Sequence, residues 1–264
     1  MALITFDADK CNHDGLCVQA CPLGLIRQEG GGLPAEIDGA AEACVRCGHC
    51  VAVCPTAALA HAFMPADTFT PAPKPGDKPS AEQLEALLLS RRSVRGFRKA
   101  PVPREQLERL LDVARCAPTA TNAQRVSWSM VCDPGRLERV KDLCVQWLGT
   151  DPRRARYVAM AGEGRDVVLR GGTVLAVAHG PEEWLWNVVD GAIALTYMEL
   201  HAAALGLGAC WGGLVTSASK AVPALREVLG IPEGSSAAGA LMLGLPRQRH
   251  LLVPPRNPVN VSWL

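Results

Sequence analysis

Leu84, Leu87 and Leu88 recur at helical spacing directly behind Ser80-Ala81-Glu82-Gln83, a string that can cap its own first turn, so a helix is predicted to open here. A second helix is predicted over residues 104–115, with Leu107, Leu110 and Leu111 on one face. The apolar runs 128–132 and 173–178 are short and unbroken, and read as buried strands. From 184 to 205 the chain is rich in Ala and Leu until Gly206 and Gly208 end the pattern, the signature of a long helix. A helix apolar on most sides belongs at the centre of a large core or in a dimer interface. Asp190, Glu199 and His201 make it too polar to span a bilayer. Residues 80–264 are therefore expected to form an α+β domain of their own.

Upstream the rhythm changes. Ile4-Thr5-Phe6 and residues 59–62 read as short strands flanking two loops, and so small a unit as 1–62 cannot bury much core. Residues 63–79 carry five prolines and few aliphatics, which predicts a stiff, extended linker.

What the first 62 residues lack in apolar pattern they supply in cysteine. Seven of the chain's 11 cysteines fall in two copies of one pattern. The second copy is Cys44-x2-Cys47-x2-Cys50-x3-Cys54-Pro55, the spacing of bacterial cluster-binding ferredoxins, in which the fourth cysteine serves the neighbouring cluster. The first, 33 residues earlier, is Cys11-x2-Asp14-x2-Cys17-x3-Cys21-Pro22, with aspartate at the second position. Thiolates are soft, strongly donating ligands, and three within seven residues can grip one face of a cubane. Zinc would need four local ligands, into which these repeats do not divide. The crossed rule assigns Cys11, Cys17 and Cys54, with Asp14, to cluster I, and Cys44, Cys47, Cys50 and Cys21 to cluster II. Cluster II is expected to be 4Fe-4S. For cluster I three readings stand: Asp14 ligates the fourth iron, the corner is lost to give 3Fe-4S, or Asp14 is a solvated loop residue. Cys116, Cys132, Cys144 and Cys210 show no ligand spacing and are expected to be small buried hydrophobes. The six histidines share no spacing and are read as structural or surface.

Thiolate ligation points to a reducing cytoplasm, and the N-terminus MALITFDADK has no apolar signal core. The 27 basic and 26 acidic residues leave a net charge of +1 without blocks of one sign, so neither nucleic acid nor an anionic membrane is expected as a partner. No GxGxxG or GxxxxGK[ST] string occurs, which disfavours an ordinary dinucleotide fold or an NTPase.

Four segments of the second domain carry a resemblance. They are Leu89-Ser90-Arg91-Arg92-Ser93-Val94-Arg95-Gly96-Phe97, Ala117-Pro118-Thr119-Ala120-Thr121-Asn122-Ala123-Gln124, Gly206-Leu207-Gly208-Ala209-Cys210-Trp211-Gly212-Gly213, and Pro255-Arg256-Asn257-Pro258. In this order they resemble the FMN-dependent nitroreductase family. The resemblance implies an intertwined homodimer with FMN at the interface. Arg91, Ser93, Arg95 and the distant Arg256 would clamp the flavin phosphate, with Arg92 beside them; planar guanidinium groups suit a dianionic phosphate. Pro118, Thr119, Ala120 and Asn122 would run along the ring and ribityl chain, often from the partner subunit. Gly212 and Gly213 would let backbone amides approach the ring where a side chain would clash. No catalytic side chain is named, because the hydride chemistry belongs to the flavin.

Arg125-Val126 stands where the family often has Pro-Trp, and the arginine-rich residues 151–172 match no family string. That stretch reads as an exposed loop in preference to a lid over an anionic substrate. The expected protein is a cytoplasmic flavo-iron–sulfur oxidoreductase. It would take electrons from a ferredoxin-like or nicotinamide donor and pass them through two clusters and FMN to a small organic acceptor such as a nitroaromatic or quinone. The alternatives are an electron carrier or redox sensor, and another FMN-fold chemistry such as dehalogenation or flavin breakdown.

Overall fold

The computed structural model describes residues 2–264, which divide into two compact units. One runs to Lys78 and takes in Thr121–Ala123; the other holds Pro79–Ala120 and Gln124–Leu264.

In chain order the first unit contains β1 (Ile4–Phe6), α1 (Leu16–Ala20), β2 (Ile26–Arg27), β3 (Ala35–Glu36), α2 (Ala40–Ala43), α3 (His49–Ala52) and β4 (Leu59–His61). β1 pairs antiparallel with β4, Ile4 opposite His61, and β2 pairs antiparallel with β3. The cysteine repeat is also a backbone repeat. Gly15 (φ 69°) and Gly48 (φ 74°), the same 33 residues apart, stand in the left-handed region immediately before α1 and α3. His13 (φ 59°) and Arg46 (φ 52°) are left-handed in the same relation. The core between the ligand loops is small: Leu3, Ile4, Leu25, Ile26, Ala40 and Leu59 are its buried aliphatics.

The second unit contains α4 (Ala81–Ser90), α5 (Arg104–Ala114), β5 (Ser127–Val131), α6 (Pro134–Leu148), α7 (Ala155–Gly162), β6 (Val174–Pro181), α8 (Asn187–Ala204), β7 (Gly208–Trp211), α9 (Gly213–Ala221), α10 (Pro223–Leu229) and β8 (Ser235–Gly244). The strands form one antiparallel sheet in the order β5-β6-β8-β7. Both faces are covered, and the alternation of side chains across a strand divides the core in two. Leu175 and Val177 of β6, with Ala240 and Met242 of β8, pack on the face carrying α6, α9 and α10. Val174, Ala176 and Ala178, with Leu241 and Leu243, pack on the face carrying α5 and α8. α8 comes very close to β8: a Cβ added at Gly191 would stand 2.3 Å from the Ala238 Cβ.

The capping box is formed: Ser80 Oγ accepts from the Gln83 amide at 3.2 Å, and Gln83 Oε1 accepts from the Ser80 amide at 2.9 Å. Leu107 and Leu110 are buried on α5. Three expectations are corrected. The run 128–132 is an edge strand with only Val131 buried in β5, because its outer side has no neighbour in the sheet. Residues 151–172 are not an exposed loop: they contain a 3-10 turn, helix α7 and the buried Val167, Val168 and Leu169. Here Arg153 and Arg154 pair with Asp151, whose side chain also caps the turn by accepting from the Arg153 amide. Cys144 and Cys210 are buried as expected, but Cys116 and Cys132 are exposed. No helix among the described residues is long and apolar enough to cross a membrane.

Candidate functional site

The ligand loops of the first unit surround two cavities, each drawing thiols from both repeats. One is lined by Cys11, Asp14, Cys17 and Cys54. The other is lined by Cys44, Cys47, Cys50 and Cys21. Among the described residues no three His, Cys, Asp or Glu side chains converge tightly enough for a single metal ion. Four thiols spread around one cavity instead suit a cluster with several irons.

Backbone amides already point at the sulfurs. Leu25 N–H donates to Cys21 Sγ, Arg46 N–H to Cys44 Sγ and Ala58 N–H to Cys54 Sγ, each at 3.3 Å. Such donors stabilise the thiolates that metal binding requires. Burial pushes the Cys50 thiol up to about 11 and raises Cys17. At Cys54 burial is outweighed by hydrogen bonds from Thr56 and the Ala58 amide, and the thiol is lowered. Asp14 Oδ1 accepts from the Leu16 amide at 3.0 Å, tying the carboxylate's backbone to the start of α1 while it faces the first cavity.

In the second unit, α8 organises the candidate cofactor residues through three buried polar side chains. Asn187, at its first turn, donates to the Gly180 and Ser236 carbonyls of β6 and β8. Asp190 Oδ1 accepts from the Ala120 amide and Oδ2 from Trp184 Nε1, both at 2.9 Å. Glu199 receives Arg91 Nη1 at 3.0 Å and Trp211 Nε1 at 3.1 Å. Asp190 and Glu199 are nine residues apart, about 13.5 Å of helix. Sequence reasoning noted both acids only as polar points on an apolar helix; Ala120 and Arg91, which they hold, lie 70 and 108 residues away in the chain.

Around Glu199, the segment after α4 runs beside β7. Ser93 bridges Ala209 in parallel register, and Val94 N–H donates to the Ala209 carbonyl at 2.8 Å. On one side is a cavity of about 400 Å³ lined by Arg95, Arg170, Trp211, Gly212 and Gly213. Nothing stands within 4 Å of where a Gly213 Cβ would lie, so the cavity reaches the backbone there. Burial raises the pKa of Cys210 in its wall, against the nearby charges of Arg95 and Arg170. Another cavity, about 570 Å³, is lined by Arg91, Arg92, Arg98, Arg247 and Arg249 with Glu199. A cationic cavity beside glycine backbone fits an anionic, flat ligand such as FMN.

The remaining candidates are dispersed. The Arg92 guanidinium is engaged at the end of α4, where Nη1 and Nη2 donate to the Arg91 and Leu89 carbonyls. Pro118, Thr119 and Ala120 stand by the Asp190 end of α8, with Thr119 Oγ1 accepting from the Gln124 amide. Asn122, which groups with the first unit, donates through Nδ2 to the Val45 and Arg46 carbonyls at 3.0 Å. Arg256 is exposed in the C-terminal segment. Arg98, Arg247 and Arg249 were missed, their only signal being charge close to the motifs; Arg170 belongs to the arginine-rich stretch 151–172, which was read as a loop in preference to a lid over an anionic substrate.

Both parts of the chain resemble known proteins. Residues 88–245 match the Nitroreductase family, and residues 3–55 match the 4Fe-4S dicluster domain. The NADPH-flavin oxidoreductase of Vibrio harveyi is 31% identical over 180 residues, covering 66% of this chain and 70% of that protein. An FMN reductase (NAD(P)H) of Bacillus subtilis is 27% identical over 179 residues, with the same coverage of each chain. The 5,6-dimethylbenzimidazole synthase of Rhodospirillum rubrum is 29% identical over 184 residues, covering 63% of this chain and 83% of that protein. A nitroreductase with bound FMN from Desulfitobacterium hafniense shares the fold with a TM-score of 0.60 at 20% identity, covering 69% of this chain and 97% of that one. With its sheet between two helical layers and its cysteine-lined cavities, the chain belongs to the nitroreductase family and carries an N-terminal 4Fe-4S dicluster domain.

Proposed function

We propose that this protein is an FMN-dependent oxidoreductase in which two iron–sulfur clusters feed electrons to FMN for the reduction of an organic acceptor such as a nitroaromatic or quinone. The observation that carries the reading is that one chain holds both two cysteine-lined cavities and a cationic, glycine-walled cavity. Cys11, Cys17 and Cys54 with Asp14 would hold cluster I, and Cys21, Cys44, Cys47 and Cys50 cluster II. Arg91, Ser93 and Arg95 would hold FMN with Gly212 and Gly213, and the arginines of the larger cavity offer its phosphate charge-assisted hydrogen bonds. FMN, when bound, supplies hydride chemistry. The chain's part is to orient the ring against backbone at Gly212–Gly213 and to fix Arg91 through Glu199.

The active form in this proposal is a homodimer in the cytoplasm. Within one chain Ala120 and Arg91 are tied to opposite ends of α8, so the flavin would be enclosed by the Arg91 end of one subunit and the 118–122 segment of its partner. Leu84 and Leu88 on α4, Val188 and Val189 on α8, and Trp263 in the C-terminal segment are exposed apolar side chains available to such an interface.

The test is to mix anaerobic protein separately with NADH, NADPH and reduced ferredoxin, then add acceptor. Ferredoxin-dependent bleaching of the flavin followed by steady turnover is expected. Rapid bleaching by a nicotinamide in cluster-free protein would remove the clusters from the pathway, and stoichiometric reduction without turnover would favour a carrier or sensor. The likeness to the Rhodospirillum rubrum synthase motivates a second reading, flavin breakdown, because the dimethylated benzene ring of its named product is also part of an isoalloxazine. Loss of flavin absorbance in air with a new aromatic product would establish it.

A further inference from the structure

His61 is buried, 5% exposed, in the wall of the Cys21/Cys44/Cys47/Cys50 cavity. Its Nδ1 lies 3.1 Å from the Phe63 backbone nitrogen, and an amide can only donate. Nδ1 is therefore an acceptor, and the proton of the neutral ring is on Nε2. That nitrogen lies 3.5 Å from Cys44 Sγ, a hydrogen-bonding distance to an atom as large as sulfur. Cys44 thus accepts two donors, the other being the Arg46 amide at 3.3 Å. The Phe63 ring lies beside the imidazole, and the Arg46 guanidinium covers that ring at 4.0 Å.

The internal repeat supplies the control. Cys44 corresponds to Cys11, and His61 corresponds by the same 33-residue offset to Gln28. The Gln28 amide donates to the His13 and Gly32 carbonyls, at 3.2 and 2.8 Å, so it is turned to backbone and not to Cys11. An imidazole donor has been placed on one cluster ligand and withheld from its counterpart.

We propose that His61 is a positioning residue that makes the two clusters unequal, its Nε2–H bond to Cys44 raising the reduction potential of cluster II. The inference rests on the reading that both cavities hold clusters. A donor to a cluster sulfur favours the more negative, reduced state, which is how second-shell hydrogen bonds set such potentials. Electrons entering the chain would then settle on cluster II.

The full-length protein should be reconstituted with iron and sulfide and titrated by electron paramagnetic resonance in wild type, His61→Phe and His61→Gln. Phenylalanine keeps the ring volume and removes the donor; glutamine retains an N–H. In His61→Phe one of the two cluster signals should move to lower potential by about tenfold in its one-electron equilibrium, about 59 mV. The other should stay, and His61→Gln should recover part of the shift. Two unmoved potentials at full iron content would overturn the proposal. A second measurement labels wild type and His61→Gln with ¹⁵N-histidine: wild type should show a nitrogen hyperfine coupling to one reduced cluster that the variant lacks, which separates His61 from His13 and His49 of the ligand loops. Absence of coupling from both clusters would also overturn it. Wild type without iron and acid-labile sulfide would sink the cluster reading itself.

Discussion

Glu199 holds Arg91 across 108 residues of sequence, its carboxylate 3.0 Å from Nη1 and its side chain only 7% exposed. The same carboxylate takes the indole N–H of Trp211, so one buried acid sets both an arginine of the candidate flavin site and the residue leading into Gly212. Glu199→Gln removes the charge that orients Arg91 and is expected to weaken FMN binding about tenfold, read by flavin fluorescence titration. Glu199→Ala strands a half-buried guanidinium and should cost about 2–4 kcal/mol of stability by denaturant titration. Unchanged flavin affinity in both variants would separate Arg91 from the flavin.

Asp14 lines the Cys11/Cys17/Cys54 cavity at the place where its repeat counterpart, Cys47, supplies a thiol to the other cavity. Asp14→Cys completes a four-thiolate set at cluster I. The variant is expected to hold about eight irons per chain and to show no 3Fe-4S signal in the oxidised protein. A cluster I spectrum and potential identical to wild type would place residue 14 outside the cluster's reach.

Gly191 lets α8 lie on β8 with no room for a methyl group, the nearest atom being the Ala238 Cβ at 2.3 Å. Gly191→Ala forces helix and sheet apart and should destabilise the second unit by about 1–3 kcal/mol despite alanine's better helix propensity. Because α8 ties both Ala120 and Arg91, flavin affinity should fall with it. A variant as stable as wild type would contradict the close approach.

His179 is 5% exposed, its Nδ1 is buried without a partner, and Nε2 lies 3.2 Å from Ser129 Oγ. Burial holds its pKa below the ordinary histidine value. As pH falls through about 6.5 the unfolded chain takes up a proton that the native ring refuses, so stability declines toward acid until the folded pKa is reached. His61 and His201 are lowered as well, chiefly by burial, and act with the same sign. Denaturation midpoints at pH 7.5, 6.5 and 5.5 should therefore fall in wild type and fall less steeply in His179→Leu. Equal slopes would exclude the ring as a source.

Local signals were legible and remote ones were not. The Ser80–Gln83 capping box, the α5 stripe and the cysteine spacings each sit within a dozen residues, so their geometry follows from the sequence around them. Asp190 and Glu199 also hold Ala120 and Arg91, which only the tertiary fold brings near, and no spacing announces those two bonds. Helix α7 was hidden because Pro152-Arg153-Arg154 reads as solvated charge; the structure pairs two of these arginines with Asp151 and buries the apolar stretch that follows. Cys116 and Cys132 were misjudged because a free cysteine's usual burial says nothing of its place at a helix end or beyond an edge strand.

The helices of the N-terminal unit are only four or five residues long and its strands two or three, around a handful of aliphatic side chains. If it holds the proposed clusters, such a scaffold would draw on them for cohesion. On the proposed reading, a chain made without iron would lack that support in its first sixty-odd residues and leave them open to proteases.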